Sequence, residues 1–197
     1  MLDYVPPIDD MRFVLERVVG LDRLRALPGC GDLSNDVVGA VLDEAGKLAA
    51  EILSPLYASG DRETSRLENG LVRTPEGWRD AYRRFVDAGW MGLPFDPAHG
   101  GQGLPWAVAT PVAEMWNSAN LAFALCPMLT QGAAELLAIH GSPWQQRLFL
   151  APMVAGRWTG TMNLTEPQAG SDLGAIRTRA VREGDHYRIT GQKIYIT

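Results

Sequence analysis

Apolar residues in the first third of the chain recur at the spacing of one helix face. They predict a short first helix over residues 11–27. Its apolar positions are Phe13, Val14, Val18 and Leu21. A second helix is expected to begin after Ser34 or Asn35, either of which can cap it, and to run towards Pro55. The polar residues 59–69 that follow predict a loop.

A third helix is predicted after this loop. Thr74 is its expected cap, Pro75 suits its first turn, and Gly89 is expected to end it. Glycine and proline are then dense over residues 93–105, which predicts a connecting segment without regular structure.

Three more helices are expected after this connecting segment. The pattern predicts two of them over residues 106–117 and 119–139, with Pro127 kinking or dividing the second. Ser142 is the expected cap of the third, which covers residues 143–154. Residues 116–134 carry no charged side chain, but polar residues interrupt this stretch, so a buried core helix is favoured over a membrane span.

Near Arg157 the spacing of hydrophobic residues changes from that of a helix to every second residue. Residues 157–165 predict a first strand. Residues 186–190 and 193–197 predict a hairpin that turns through Gly191. A β-rich region is therefore expected to follow the helices.

Composition narrows the class of protein. The chain has 197 residues, of which 46% are hydrophobic and 21% charged, as in an ordinary globular protein. Its net charge of −5 and scattered basic residues argue against nucleic-acid binding. Cys30 and Cys126 lack metal-ligand spacing and are expected to be reduced, which favours a cytoplasmic protein without a metal site. The first residues show no secretory signal pattern.

The segment Thr165–Asp172 carries the strongest chemical signal. Pro167 restricts the backbone, Gly170 permits close approach of a ligand, and Ser171 adds a hydroxyl beside exposed N–H groups. Consecutive N–H groups can bind a diphosphate without a basic side chain. The alternative interpretation is a surface loop with a helix-capping serine.

A second segment, Ile189–Thr197, offers an aromatic ring. In an extended strand Lys193, Tyr195 and Thr197 would share one face, where the ring and hydroxyl could meet a flat heterocycle. The alternative is an ordinary half-exposed tyrosine on a sheet.

These two segments together resemble a known family. The stretch Met162–Asp172, followed by Gly191–Thr197, resembles the flavin-binding middle region of acyl-CoA dehydrogenases. The stretches Tyr4–Met11, Gly89–Pro94 and Gly100–Pro105 resemble the larger members of that family.

The resemblance implies an α+β fold. An N-terminal all-α domain would cover residues 1–156, and the first strands of a β-barrel-like middle domain would cover residues 157–197. The C-terminal helical bundle of the family would be absent, so the sequence is interpreted as a truncated segment. The implied cofactor is FAD, and the implied cofactor-binding residues are Met162, Leu164, Thr165, Gly170, Ser171, Tyr195, Ile196 and Thr197.

The implied reaction is the α,β-dehydrogenation of an acyl-CoA thioester to a 2,3-enoyl-CoA. Ser171 would also touch the substrate, and Phe123 and Leu129 would border the acyl pocket, although both fit a plain core as well. The family places its catalytic base in the C-terminal bundle, so no catalytic residue is assigned. Glu166 is expected to hydrogen-bond neighbouring backbone instead. Many members have Trp in place of Tyr195.

The resemblance also implies partners and leaves alternatives. Expected partners are an acyl-CoA substrate, an electron-transfer flavoprotein or similar acceptor, and further copies of the full-length protein. An acyl-CoA oxidase, or a noncatalytic flavoprotein or interaction protein on the same scaffold, are the alternative functions. The isolated segment is expected to retain FAD weakly, because its sheet would have open edges.

Overall fold

The computed structural model describes residues 4–197 and divides the chain into two compact units. One unit ends at Gly160 and the other covers Thr161–Thr197. The predicted domain boundary lay four residues earlier, after residue 156. Residues 1–3, where the helical domain was expected to begin and no secretory signal pattern was seen, lie outside the described residues.

The first unit consists mainly of helices, as predicted, and also contains one short hairpin. Its helical segments are α1 (Ile8–Phe13), a π-helical segment (Val14–Val19), α2 (Leu21–Arg25), α3 (Asn35–Lys47), a π-helical segment (Leu48–Leu53), α4 (Ser54–Glu63), α5 (Trp78–Asp87), 3-10 turns (Trp90–Gly92 and Pro97–His99), α6 (Trp106–Ala119), α7 (Leu121–His140), α8 (Pro143–Gln145), a π-helical segment (Gln146–Leu150) and α9 (Ala151–Val154).

Side-chain caps begin several of these helices. The Ser34 hydroxyl accepts from the Val37 N–H at 3.1 Å, and Ser142 forms a capping box with Gln145, so both predicted caps are confirmed. The prediction for Thr74 is wrong, because α5 begins after Gly77, whose φ of 82° only glycine adopts readily. In each confirmed cap, the serine hydroxyl accepts from an N–H only three residues further along the chain.

The apolar face of the first helix was predicted incorrectly. Of the four predicted positions only Leu21 is buried, while Phe13, Val14 and Val18 are 61%, 46% and 65% exposed; Met11 and Leu15 are buried instead. Met11 and Leu15 lie four residues apart and share the inward face, from which Phe13 points away. The π-helical turns over Val14–Val19 then change the period for the residues that follow.

The predicted loop over residues 59–69 is also wrong. Helix α4 continues to Glu63, and an antiparallel hairpin follows, with β1 at Arg66–Glu68 and β2 at Leu71–Arg73. Asn69 and Gly70 form its turn with φ values of 52° and 78°. An Asn-Gly pair is the usual signal for such a two-residue turn, and it was present in the sequence.

The core of the first unit is centred on Phe85, whose side chain is fully buried. Its ring lies 4.7 Å from that of Trp116 and 5.7 Å from that of Phe123, both in edge-on contact. Leu42 and Met115 are also fully buried in the same cluster. This cluster joins α3, α5, α6 and α7 into one packed unit.

Helix α7 is the longest helix of the described chain and is strongly apolar. Its length and mean hydropathy of 1.5 would allow it to cross a membrane. One face, which includes Phe123 and Ala134, is buried in the unit, while Leu136 and Ile139 on the other face are exposed. It is therefore a core helix on one side only. Pro127 is buried within it and does not divide it.

The second unit contains a different hairpin from the predicted one. Its strands are β3 (Arg179–Glu183) and β4 (His186–Thr190), paired antiparallel around Gly184 and Asp185. No strand forms over residues 157–165 or 193–197, so both predictions are wrong. Strand β4 pairs with β3, and the left-handed φ of 55° at Tyr195 interrupts an extended chain.

Candidate functional site

The candidate site lies in the second unit, where the two predicted ligand-binding segments meet. Thr165–Asp172 begins with a closed turn, in which the N–H groups of Glu166 and Ala169 each donate to the other's carbonyl oxygen at 3.0 Å. Pro167 occupies this turn, as its fixed φ favours. The turn is held by its own backbone and leaves the residues after it free to face a ligand.

Three residues after the turn present unused backbone donors. Among the described residues, the N–H groups of Gly170, Ser171 and Asp172 donate to no protein acceptor. All three residues are exposed. Successive N–H groups without partners are suited to bind an anion such as a diphosphate. These three N–H groups are therefore available as donors to the phosphate portion of FAD, with no basic side chain among them.

The second segment is attached directly to the first. The Ile194 N–H donates to the carbonyl oxygen of Thr165 at 3.1 Å. Lys193 Nζ donates to the carbonyl oxygen of Leu164 at 2.9 Å and to Glu166 Oε1 at 2.9 Å. These bonds bring together two stretches that are nearly thirty residues apart in sequence.

Glu166 lies at the centre of the junction that these bonds form between the two stretches, and it is almost fully buried. Its carboxylate accepts from the N–H of Arg177 at 2.8 Å and from the N–H of Thr178 at 3.0 Å, besides Gln168 and Lys193. The Thr178 side chain and the N–H of Arg177, followed by Lys193 and the Thr178 N–H, hold the pKa of this carboxyl well below its ordinary range. Glu166 thus hydrogen-bonds backbone, as predicted, but its backbone partners lie 11 and 12 residues further along the chain rather than in its own turn.

The remaining predicted cofactor residues differ in their exposure. Met162 and Tyr195 are 58% and 89% exposed, and Ile196 is 37% exposed. Leu164 and Thr165 are half-buried, and Thr197 is exposed. The expected alternation of faces over residues 193–197 is wrong, because Tyr195 is not extended. The structure brings Leu164 to Lys193 and Thr165 to Ile194, and no hydrogen bond among the described residues links Gly170 or Ser171 to Tyr195, Ile196 or Thr197.

Sequence reasoning missed the role of Gly191. It was expected to form a tight turn, but it has no left-handed φ. A Cβ atom there would lie 2.1 Å from Thr178 Oγ1 and 2.8 Å from Thr178 Cα. Glycine is therefore required because the two chains approach closely, a contact that local sequence does not reveal.

Two predicted substrate residues belong to the first unit. Phe123 is 4% exposed and packs in the aromatic core, which fits the core interpretation of this residue. Leu129 is half-buried. Cys30 and Cys126 are both free, as expected. Within residues 4–197, no group of His, Cys, Asp or Glu side chains could hold a metal ion.

Comparisons with known proteins agree on one family. The model described as "Acyl-CoA dehydrogenase, N-terminal domain" matches residues 39–157. The 3-methylmercaptopropionyl-CoA dehydrogenase of Ruegeria pomeroyi is 45% identical over 197 residues, covering 100% of this chain and 34% of the relative. The broad-specificity linear acyl-CoA dehydrogenase FadE5 of Mycobacterium tuberculosis is 32% identical, covering 100% of this chain and 32% of the relative.

Solved structures show the same fold. A structure titled as the electron transferring flavoprotein of Acidaminococcus fermentans is similar with a TM-score of 0.69 and 26% identity, covering 84% of this chain and 40% of that one. A glutaryl-coenzyme A dehydrogenase complex is similar in fold, with a TM-score of 0.71, 23% identity and coverage of 84% and 40%.

The chain spans about a third of the length of the curated relatives it matches. The family model covers more than half of the chain, and it matches the helical region that the hydrophobic pattern indicated. The chain belongs to the acyl-CoA dehydrogenase family.

Proposed function

We propose that the protein is an FAD-dependent acyl-CoA dehydrogenase that converts an acyl-CoA thioester into a 2,3-enoyl-CoA. Membership of the family supports this proposal, as do the activities named for its relatives. The structure supports it through a single arrangement, the attachment of Lys193 and Ile194 to Leu164–Glu166 beside the free N–H groups of Gly170–Asp172.

In this proposal each part of the junction has a separate task. The N–H groups of Gly170, Ser171 and Asp172 hold the diphosphate, because they are consecutive and have no protein acceptor. Leu164 and Thr165 lie beside the ring system, where half-buried positions can exclude water. Tyr195, which is 89% exposed, offers an aromatic face to the same ligand. When bound, FAD supplies the acceptor for the hydride that leaves the β-carbon of the substrate.

The chain's own carboxylates define what this region does not do. Glu166 is almost fully buried, both of its oxygens already accept hydrogen bonds, and its lowered pKa makes it a weak base, so we assign it no role in taking the substrate α-proton. Ser171 remains the proposed contact to the CoA portion, and Phe123 and Leu129 the proposed border of the acyl pocket. Phe123 would act there through its packing in the core, since it is only 4% exposed.

We also propose partners for the whole protein. The substrate would be an acyl-CoA, and the electron acceptor would be an electron-transfer flavoprotein or a similar carrier. The similarity to a structure titled with such a flavoprotein supports the choice of acceptor. Further copies of the protein would complete a homo-oligomer.

The test is to purify the protein that the gene encodes and to measure its flavin and its activity. We expect a yellow protein with the absorbance of bound FAD, which bleaches when an acyl-CoA is added without oxygen and which reduces a dye acceptor. A short-chain, a long-chain and a sulfur-containing acyl-CoA should be compared, because the relatives are named for different substrates.

Other results would select another function. Rapid formation of hydrogen peroxide in air would indicate an acyl-CoA oxidase on the same scaffold. Bound FAD that no acyl-CoA reduces would indicate a noncatalytic flavoprotein. A colourless protein that binds no FAD on titration would contradict the proposal and favour an interaction protein.

A further inference from the structure

The pair formed by Glu166 and Lys193 differs from the other lysine ion pair of the chain. Lys47 and Lys193 are the only lysines in the sequence. Lys47 pairs with Glu44 at the surface, where both side chains are about 60% exposed. Lys193 pairs with Glu166, and these side chains are 21% and 2% exposed. The second pair is therefore largely removed from water, where charge interactions are less screened.

Both oxygens of Glu166 are occupied by groups from other parts of the unit. Oε1 accepts from the Thr178 N–H and from Lys193 Nζ, while Oε2 accepts from the Arg177 N–H and from Gln168 Nε2. This one carboxylate thus connects the closed turn, the chain entering β3 and the segment before Tyr195. Charge-assisted bonds of this kind are the stronger class of hydrogen bond.

Lys193 directs its charge into the protein. Its Nζ donates to Glu166 Oε1 and to the Leu164 carbonyl oxygen, both at 2.9 Å. A lysine that binds a phosphate must offer its ammonium group to the ligand, but here a buried carboxylate already neutralises it. The free N–H groups at Gly170–Asp172 remain as the uncharged donors for an anion.

We propose that Glu166 and Lys193 are a positioning pair, which fixes the flavin-binding segments to one another while the diphosphate is held by backbone N–H groups rather than by the lysine. This inference rests on the proposed function for its ligand. The pair itself rests only on the contacts within the second unit.

The test is a double-mutant cycle in the gene-encoded protein with Glu166→Gln, Lys193→Met and the double variant. Lys47→Met is the matched control, because it removes the only other lysine and its exposed ion pair. The dissociation constant of FAD, the visible circular dichroism of the bound flavin and its reduction potential at saturating FAD should be measured. Amide hydrogen exchange of Arg177, Thr178 and Ile194 reports the junction, and exchange within α3 reports the first unit.

The proposal expects each single variant to weaken FAD binding by roughly 10- to 100-fold, the range of a charge-assisted hydrogen bond. The double variant should be no weaker than the worse single variant, because both remove the same interaction. Amides of Arg177, Thr178 and Ile194 should exchange faster while α3 is unchanged. The flavin spectrum and potential should shift at saturation, which a simple loss of stability would not produce. Lys47→Met should change none of these values.

Two results would overturn the positioning pair. If Lys193→Met weakens FAD binding and flattens its salt dependence while Glu166→Gln does neither, then the lysine binds the phosphate. If neither variant alters amide exchange at the junction, then the pair does not hold it. A wild-type protein that binds no FAD would contradict the proposed function, and the exchange measurements would still decide whether the pair holds the junction.

Discussion

The two units of the chain are stabilised in different ways. The first buries a continuous apolar cluster around Phe85, in which aromatic rings meet edge-on. In the second unit, residues 161–197, only Glu166 and Ala169 are buried. The stability of the first unit therefore depends on the packing of its side chains, and the stability of the second depends on hydrogen bonds around one buried carboxylate.

Because of this difference, the unit with the packed core is not the unit that carries the proposed flavin-binding residues. A packed apolar cluster depends little on pH, because its driving force does not depend on charge. A junction held by an ionised group responds to acid and to changes of a single atom. The proposed flavin-binding residues lie in the second unit, where few contacts oppose a local rearrangement.

The largest effect is expected from reducing the volume of the core. Phe85→Ala should lower the free energy of unfolding by about 3–5 kcal/mol, because it leaves a cavity beside Trp116 and Phe123. Phe13→Ala removes the same atoms from a side chain that is 61% exposed, so its effect should stay within about 0.5 kcal/mol. Urea unfolding followed by far-UV circular dichroism measures both. Equal losses would show that the core is not centred on Phe85.

A smaller effect is expected from adding one methyl group to the second unit. Gly191→Ala should destabilise it by about 1–3 kcal/mol, because the new Cβ would overlap Thr178. Gly31→Ala is the control, since nothing lies within 4 Å of its Cβ position. Amide exchange across β3 and β4 measures local opening. Unchanged exchange in Gly191→Ala would contradict the close approach of the two chains.

Acid should affect the second unit through Glu166. Its folded-state pKa lies below its unfolded value, so the ionised carboxylate stabilises the unit above the ordinary carboxyl range. That contribution is lost as the pH falls through the folded-state pKa. Carbon-13 spectra of the Glu166 carboxyl should titrate at lower pH in folded than in urea-unfolded protein. Lys193→Met should raise the pKa of Glu166 in the folded protein. If the Glu166 carboxyl titrated at the same pH in folded and unfolded protein, the ion pair with Lys193 would be excluded.

The smallest effect is expected on the exposed side of α7. Gly132 lies in the interior of this helix with nothing within 4 Å of a Cβ, so Gly132→Ala should raise the free energy of unfolding by about 0.5–1 kcal/mol. Thermal unfolding should show a higher midpoint. A lower midpoint would mean that another group occupies this open position.

Much of the helical unit could be predicted from local pattern. The starts after Ser34 and Ser142 were correct, because a cap and its target N–H are only three residues apart. The face of the first helix was not, because its inward positions are Met11 and Leu15 rather than Phe13, and π-helical turns after Phe13 change the period that the pattern assumes. The hairpin at Asn69 was missed although its turn signal is local.

The candidate site was predicted in part. Its two segments were identified correctly as neighbours, since Ile194 bonds Thr165. Their geometry was not, because the alternation of a strand was assumed where Tyr195 adopts a left-handed φ. The pairing of β4 was assigned to the wrong segment, since its true partner precedes it around Gly184 and Asp185.

The sequence by itself determined the helical character of the first unit, the helix caps and the two segments that carry the family likeness, because these depend on neighbours a few residues apart. Only the tertiary structure decided that Gly191 must lack a side chain and that Lys193 reaches back 27 residues to Glu166. Such contacts depend on where the folded backbone brings distant residues, and a buried charge reveals its role only when its partners are in place.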